Sequence, residues 1–422
     1  MKKRTYRAVD VKRVDVERLN QELAEQRIVV GVDVGKQVFV GCLKGEQGQV
    51  YRTIKWRSPG ETRLFVELLK GLVNCPLEVA MEPSGSYGDP LRHLLWAKGI
   101  PVYRVSAKRS HDATEVYDGV PSSHDAKSAA IIAKLHQDGA SELWPLREQG
   151  QRDLRALVKR MDLFHKQFHD SLNHLEGHMA RYWPELGEYL DFTRVTFLSL
   201  IQEFAGPEQV AAQGDRAAQF MRSVGGRFLQ SKKIQEVIGS SRETTGVHMT
   251  PEEAESLRLL AEHTLYLYRA LQKAKRKMET VGQEQASVQA MSPTLGKATA
   301  AVLVAEGGDP RQYDSARQWV KTFGLNLKER SSGKHMGRRR ITKRGSGRAR
   351  KWLFLAALRL ARLDPVVRAW YQRKVSRDGN IKMKAVVAVM RKYVKALWHV
   401  AKGNPFDSTR LFDTKRLGIG AT

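Results

Sequence analysis

The sequence predicts a mixed α/β domain in the first third of the chain, then a long helical middle and a mostly helical C-terminal domain. Three observations predict it. Strand-like clusters of Val, Ile and Phe are confined to the N-terminal third, two long middle stretches carry an apolar residue every three or four positions, and a basic, glycine-punctuated segment leads into renewed helical spacing. With 422 residues, 41% of them hydrophobic, the chain exceeds what one core organises, so two or three domains are expected.

Residues 1–26 read as a basic, partly helical arm, and the sheet domain is expected over 27–145. Apolar residues alternate and cluster from Arg27 to Leu43 as in a β-hairpin, and the runs Gln49–Trp56 and Leu77–Met81 add two strands. Pro59–Val73 and Pro90–Lys98 have helical spacing, and Ile100–Val105 supplies another strand. A helix over Asp125–Gln137, stopped by Asp138 and Gly139, completes the domain.

From Arg152 to Arg181, Leu154, Leu157, Met161, Phe164, Phe168, Leu172, Leu175 and Met179 trace one stripe of a long amphipathic helix. Pro251–Gly282 is a second. The pair predicts a middle domain over 146–285, as an antiparallel coiled coil or a dimer interface, with the less periodic Gly187–Met249 between them. The C-terminal domain, 286–405, has helices over Ala298–Ala305, Ala316–Phe323 and Arg348–Leu363, and 406–422 reads as a loose tail.

Lys and Arg number 72 against 45 Asp and Glu, a formal charge of +27, which points to a polyanionic partner, nucleic acid by default. Apolar runs such as Ala385–Met390 fall far short of the roughly 20 residues a membrane span needs, so no membrane partner is expected. No leader-like segment opens the chain, and the expected location is the cytoplasm. Cys42 and Cys75 lack CxxC spacing and read as packing residues. His165, His169, His174 and His178 form two i,i+4 pairs, read as a solvated helix face because no carboxylate stands at a zinc-protease spacing.

Asp33 lies in Val-Gly-Val-Asp-Val-Gly-Lys, inside a strand where an unpaired carboxylate is costly, and a bound cation would offset that cost. Glu82 follows the strand Leu77–Met81, and Asp125 opens a helix with Ser128 one turn on, facing the same way. Oxygens converging from strand ends and a helix start are how hard cations such as Mg²⁺ are held. Singly, each acid also reads as a turn, surface or helix-start residue. Together, in this order and on these elements, they resemble the ribonuclease-H-like core of RuvC-type resolvases.

Between Leu327 and Lys351 the chain carries Lys328, Arg330, Lys334, Arg338, Arg339, Arg340, Lys343, Arg344, Arg348, Arg350 and Lys351 against one acid, Glu329, a phosphate-binding footprint. Ser331 and Ser332 sit within it beside Gly333. A serine hydroxyl attacks a phosphodiester only when activated and when nearby cations neutralise the developing charge. The plainer reading is a basic loop whose serines bond to phosphates. Upstream, Ser292-Pro-Thr-Leu-Gly-Lys-Ala resembles the hairpin of a helix-hairpin-helix element, which offers backbone N–H groups to DNA.

Taken as a whole, the chain resembles the DEDD transposases of the insertion-sequence "one-ten" class, relatives of the pilin-gene invertases. The resemblance rests on the Asp33 segment, Glu82-Pro-Ser-Gly-Ser-Tyr and Asp125-Ala-Lys-Ser128-Ala-Ala. It continues with Ala305-Glu-Gly-Gly-Asp-Pro, Ser331-Ser-Gly-Lys and Ile341-Thr-Lys-Arg-Gly-Ser-Gly-Arg. It implies a RuvC-like domain, a coiled-coil insertion and a transposase domain whose nucleophile is Ser331, or Ser332 if the loop register differs by one. Mg²⁺ at Asp33, Glu82, Asp125 and Ser128, a dimer or tetramer at the nucleoid, donor and target DNA, and a structured noncoding bridge RNA are implied with it. One position departs: the family's fourth acid falls at Ser128, a neutral ligand, for which Asp118 would compensate if its loop folds back. Two rivals remain: a metal-dependent, structure-selective endonuclease using water, and an inactive nucleic-acid-binding relative.

Overall fold

The computed structural model describes residues 7–23, 26–73, 75–83, 85–116, 119–120, 124–329, 337 and 339–412. The chain forms two compact units, Met1–Arg147 and Glu148–Thr422.

The first unit runs β1 (Val9–Asp10), α1 (Val16–Glu22), β2 (Ile28–Val34), β3 (Val38–Gly45), β4 (Val50–Arg57), α2 (Thr62–Gly71), β5 (Leu77–Met81), α3 (Asp89–Ala97), β6 (Val102–Val105), α4 (Ala107–Asp112), α5 (Asp125–Gln137) and β7 (Ser141–Leu143). The strands form one sheet in the order β1-β4-β3-β2-β5-β6-β7. β2, β3 and β4 are an antiparallel meander, and β5 and β6 run parallel to β2, which is the ribonuclease-H-like arrangement. Alternation along β2 sends Val30, Val32 and Val34 into one core with Phe39, Trp56, Phe65 and Leu95, where the rings of Trp56 and Phe65 stack 3.7 Å apart. The other face is covered by α5, whose Ala126, Ala129 and Ala130 lie on Val40 and Cys42, while its Ile131, Ile132 and Leu135 lie on Ala80 and Val105.

The described part of the stretch expected as an arm is built into this unit. β1 pairs with β4 in parallel, and Val11, Leu19 and Leu23 are buried in the same core as Trp56. Both cysteines are buried and free, as packing residues.

Among its described residues the second unit is helical apart from one ribbon: α6 (Gln149–Tyr182), α7 (Leu186–Tyr189), α8 (Val195–Phe204), α9 (Pro207–Ala212), α10 (Gly214–Gly225), α11 (Ser231–Arg242), α12 (Pro251–Gly282), α13 (Ala286–Leu295), α14 (Lys297–Gly307), α15 (Ala316–Thr322), β8 (Leu327–Lys328), β9 (Arg340–Ile341), α16 (Gly347–Leu363), α17 (Pro365–Arg377) and α18 (Lys382–Ala401). α6 and α12 pack antiparallel within the chain, with Ser171 Oγ 2.7 Å from Thr264 Oγ1 and Arg181 3.4 Å from Glu253. α12 starts where it does because Thr250 and Glu253 cap each other's backbone N–H groups and Pro251 takes the first helical position.

Two cores share this helix pair. Phe168, Leu172, Leu175 and Met179 pack with Leu257, Ala261 and Leu265 and with the short helices α7–α11, which fill the region that reads as aperiodic. At the other end Leu154, Val158, Met161, Ala274 and Met278 join α13–α18, so one core spans residue 285. Phe406 and the buried Phe412 also pack there, and 413–422 lie outside the described residues. Among the described residues no helix is long and apolar enough to cross a membrane.

Candidate active site

The first unit gathers its acids at one end of the sheet. Val32 lies opposite Met81 in the parallel register of β2 and β5, so the next residues, Asp33 and Glu82, stand side by side where the two strands end. Asp125 occupies the first turn of α5, the helix on that face, where the positive end of the dipole favours a carboxylate. His124 caps the helix, its Nδ1 accepting from the Lys127 N–H at 3.2 Å.

What lets α5 reach the strand is Gly31. A Cβ at this position would stand 2.1 Å from the Ala129 carbonyl oxygen and 2.4 Å from the Ala133 nitrogen, so only glycine admits the helix backbone so closely. The approach brings Ser128 Oγ within hydrogen-bonding reach of the half-buried Asp33 carboxylate, which also accepts from the Val34 N–H. Burial, and then the negative charges of Asp125 and Glu82, push the Asp33 carboxyl up to about 6 against those two hydrogen bonds. Asp33 thus feels the charges of Asp125 and Glu82 and is hydrogen-bonded by Ser128, while among the described residues no three His, Cys, Asp or Glu side chains form a group that could hold a metal ion. Mg²⁺ does not require one, since it keeps several waters and binds through one or two carboxylates plus substrate phosphates.

Two residues at this helix escaped the sequence reading. Lys127 is buried, 3% exposed, with Nζ donating to the Val120 carbonyl at 2.6 Å, which ties Val120 to the helix. The signal was a lysine in an alanine-rich face. At the other end of α5, His136 Nε2 is 3.2 Å from Glu78, which also accepts from Tyr103 OH at 3.0 Å and Arg27 Nη2 at 2.6 Å. α5 is thus held at both ends.

In the second unit β8 and β9 pair as a short antiparallel ribbon. Arg330, Ser331, Ser332, Lys334 and Arg338 lie outside the described residues, as does Asp118. The described cations divide into two kinds. Lys328, Arg340, Lys343 and Arg344 are exposed. Others are engaged by the protein: Arg339 bonds Glu329 at 2.7 Å, and Arg350 Nη1 donates to the carbonyls of Phe323, Lys343 and Gly345 at 3.0, 3.3 and 3.0 Å. Arg348 bridges Asp162 at 2.9 Å and the nearly buried Glu306 at 2.6 Å. Glu306 also accepts from Ser346 Oγ, the cap of α16, at 2.8 Å. Arg348 and Arg350, read as phosphate ligands from charge density, tie the basic segment to the helices beneath it. Gly296, at φ +83°, joins α13 directly to α14 where the hairpin was expected, and Tyr393 OH donates to the Thr294 carbonyl beside it.

Comparison with known proteins follows the same division of the chain. Residues 30–184, from β2 through α6, match a transposase family model, DEDD_Tnp_IS110, and residues 290–372 match the Transposase IS116/IS110/IS902 family. The chain belongs to the IS110 family of transposases. Two relatives align over most of this transposase. It is 24% identical to the insertion element IS110 uncharacterized 43.6 kDa protein of Streptomyces coelicolor, over 81% of this chain and 83% of that one. It is 26% identical to the insertion element IS900 uncharacterized 42 kDa protein of Mycobacterium paratuberculosis, over 88% and 95%. The transposase is thus an insertion-element enzyme acting on DNA.

Proposed function

We propose that this transposase cuts and rejoins DNA through a serine–DNA covalent intermediate, assisted by Mg²⁺ at Asp33, Glu82, Asp125 and Ser128. The single observation that supports the metal half of this reading is the half-buried Asp33, influenced by two further carboxylates, Asp125 and Glu82, and hydrogen-bonded by the Ser128 hydroxyl. That donor set fits a hard divalent cation and not a thiolate- or imidazole-seeking one. Bound there, Mg²⁺ would neutralise charge on the scissile phosphate and ease departure of the leaving oxygen.

The chain's own residues supply the rest. Asp33, on the rigid central strand, fixes the position of the site, and Gly31 fixes α5 and hence Asp125 and Ser128 against it. Ser331 Oγ, or Ser332 Oγ one register on, forms a bond to phosphorus as the P–O bond to the departing strand breaks and its oxygen takes a proton. Attack on that ester by another strand end restores the serine. Ester bonds are conserved, so exchange needs no nucleotide hydrolysis. The exposed Lys328, Arg340, Lys343 and Arg344 hold strand phosphates. The reading includes a bridge RNA pairing with donor and target DNA, and a dimer or tetramer in the cytoplasm at the nucleoid, in keeping with the +27 charge.

The test is incubation with Mg²⁺, the flanking RNA and labelled element-end DNA, followed by denaturing separation. A protein–DNA band lost in Ser331→Ala supports the serine mechanism, and a band retained there but lost in Ser332→Ala moves the nucleophile by one. Cleaved DNA without a band supports the second reading, hydrolysis by water at the carboxylates, which the acidic site favours because it assembles without any serine nucleophile. Neither band nor cleavage would leave a nucleic-acid-binding relative.

A further inference from the structure

We infer that the turn between α10 and α11, residues 225–229 with Phe228 at its crest, is a stacking site for an unpaired base of the DNA on which this transposase acts. The inference uses neither the serine nor the metal reading above and rests only on the family's action on DNA.

The turn is built to put that ring outside. α10 ends at Gly225, and Gly226, at φ +56°, reverses the chain into a single 3₁₀ turn, Gly226–Phe228. A Cβ on Gly225 would stand 2.7 Å from the Leu229 Cβ, so glycine is what lets Leu229 fold back. Leu229 packs against the core shared by α7–α11, and its N–H donates to the Gly226 carbonyl at 3.2 Å. With its neighbour anchored, Phe228 is left 85% exposed, more than any other large apolar side chain among the described residues.

Charge selects the partner. Residues 222–233 carry four exposed cations, Arg222, Arg227, Lys232 and Lys233, and no acid, whereas the flanking segments 183–221 and 234–262 carry twelve acids and four cations. The positive field is therefore local to the turn and is not the general excess of the chain. Lys232 leans towards Glu236 at 3.8 Å, and the Arg227 guanidinium lies 5.1 Å from the centroid of the Phe228 ring, which still keeps an open face. An exposed aromatic face flanked by cations is the combination that holds single strands, the ring stacking on a base and the cations meeting phosphates. Paired bases are stacked on one another and offer only edges and backbone, so the partner is an unpaired stretch of DNA, such as strand exchange exposes.

The test uses the full-length transposase without Mg²⁺ and follows fluorescence anisotropy of an oligodeoxythymidine strand, with a DNA duplex and an oligouridine strand of the same length alongside. Phe228→Ala should weaken binding of the thymidine strand by roughly five- to a hundredfold and leave duplex binding unchanged. Phe228→Trp should bind as the natural chain does, and Phe228→Leu, apolar but without a π face, should bind as Phe228→Ala does. Ultraviolet cross-linking of the bound strand should mark the peptide that carries Phe228. Full binding by Phe228→Leu would overturn the inference by showing a merely apolar contact, and so would an equal loss on the duplex or cross-links confined to other peptides. Dependence on Phe228 for oligouridine alone would overturn it in favour of RNA. A changed oligomeric state in Phe228→Ala, with circular dichroism and thymidine-strand binding unchanged, would assign the ring to a second copy of the chain instead.

Discussion

Gly31→Ala separates the stability of the first unit from the placement of its site. The new methyl would stand 2.1 Å from the Ala129 oxygen and 2.4 Å from the Ala133 nitrogen, both backbone atoms that cannot swing aside. Ordinary contact needs a separation above 3 Å, so α5 must withdraw from β2 by roughly 1 Å. Overpacking of this kind costs about 1–3 kcal/mol, which lowers the melting temperature by several degrees. The site suffers more. Asp125 and Ser128 ride on α5 while Asp33 stays on the strand, and a misplacement of about 1 Å costs on the order of 100-fold in rate. The assay pairs a circular-dichroism melt with the initial rate of strand cleavage per folded molecule, and Gly60→Ala, with no atom within 4 Å of its added Cβ, is the control. If Gly31→Ala melts early yet cleaves at the normal rate per folded molecule, the close approach of α5 does not set the site. If neither quantity changes, the packing argument fails at its first step.

Other perturbations have distinct signatures. Arg348→Ala leaves the nearly buried Glu306 without its cation and should cost on the order of 3 kcal/mol in a denaturant titration of the second unit. Arg344→Ala, exposed, should leave stability unchanged and lower the salt slope of DNA binding by about one unit; the reverse pattern would return Arg348 to the phosphate contacts. Gly177→Ala, at an exposed position of α6 with open space around it, should raise stability by roughly 0.5–1 kcal/mol, read from the same denaturant midpoint. Burial would raise the Glu185 carboxyl, but hydrogen bonds from the Thr245 N–H and the Thr244 and Thr245 hydroxyls outweigh it and hold the group at about 2. A carboxyl depressed on folding stabilises above its unfolded value and loses that contribution as pH falls towards the folded one. Natural and Glu185→Gln chains should therefore differ in unfolding free energy at pH 6 and converge between pH 4.5 and about 2; parallel curves there would contradict the assignment.

Much of the first unit was legible because its signals are local. Leu77–Met81 is a five-residue, mainly apolar run, and α5 and α12 have clear starts and stops in Asp125, Asp138, Thr250 and Pro251, so their limits follow from the chain. β7 was not legible: three residues, mostly exposed, hold their place by pairing with β6 and not by any pattern of their own. α7–α11 escaped because helices of four to twelve residues separated by Gly and Pro give too few turns to show a period. The carboxylates could be singled out as candidates because three acids on strand ends and a helix start leave a pattern in the sequence. Charge density, by contrast, could not divide the arginines. Arg348 is spent on Glu306, 42 residues away, and a long-range partner of that kind writes nothing into the segment around it.

The helix pair α6–α12 has a mechanical consequence. At 34 residues α6 is about 51 Å long, and its two halves are embedded in different cores, one made with α7–α11 and the other with α13–α18. Neither core can rotate without carrying the shaft common to both. A tilt of about 5° where α13–α18 grip it sweeps the far end through about 4 Å, enough to make or break a set of side-chain contacts. An event at the basic ribbon is thereby geared up into a displacement at the distant helical cap, and a load applied to that cap arrives at the ribbon as a small, stiff rotation.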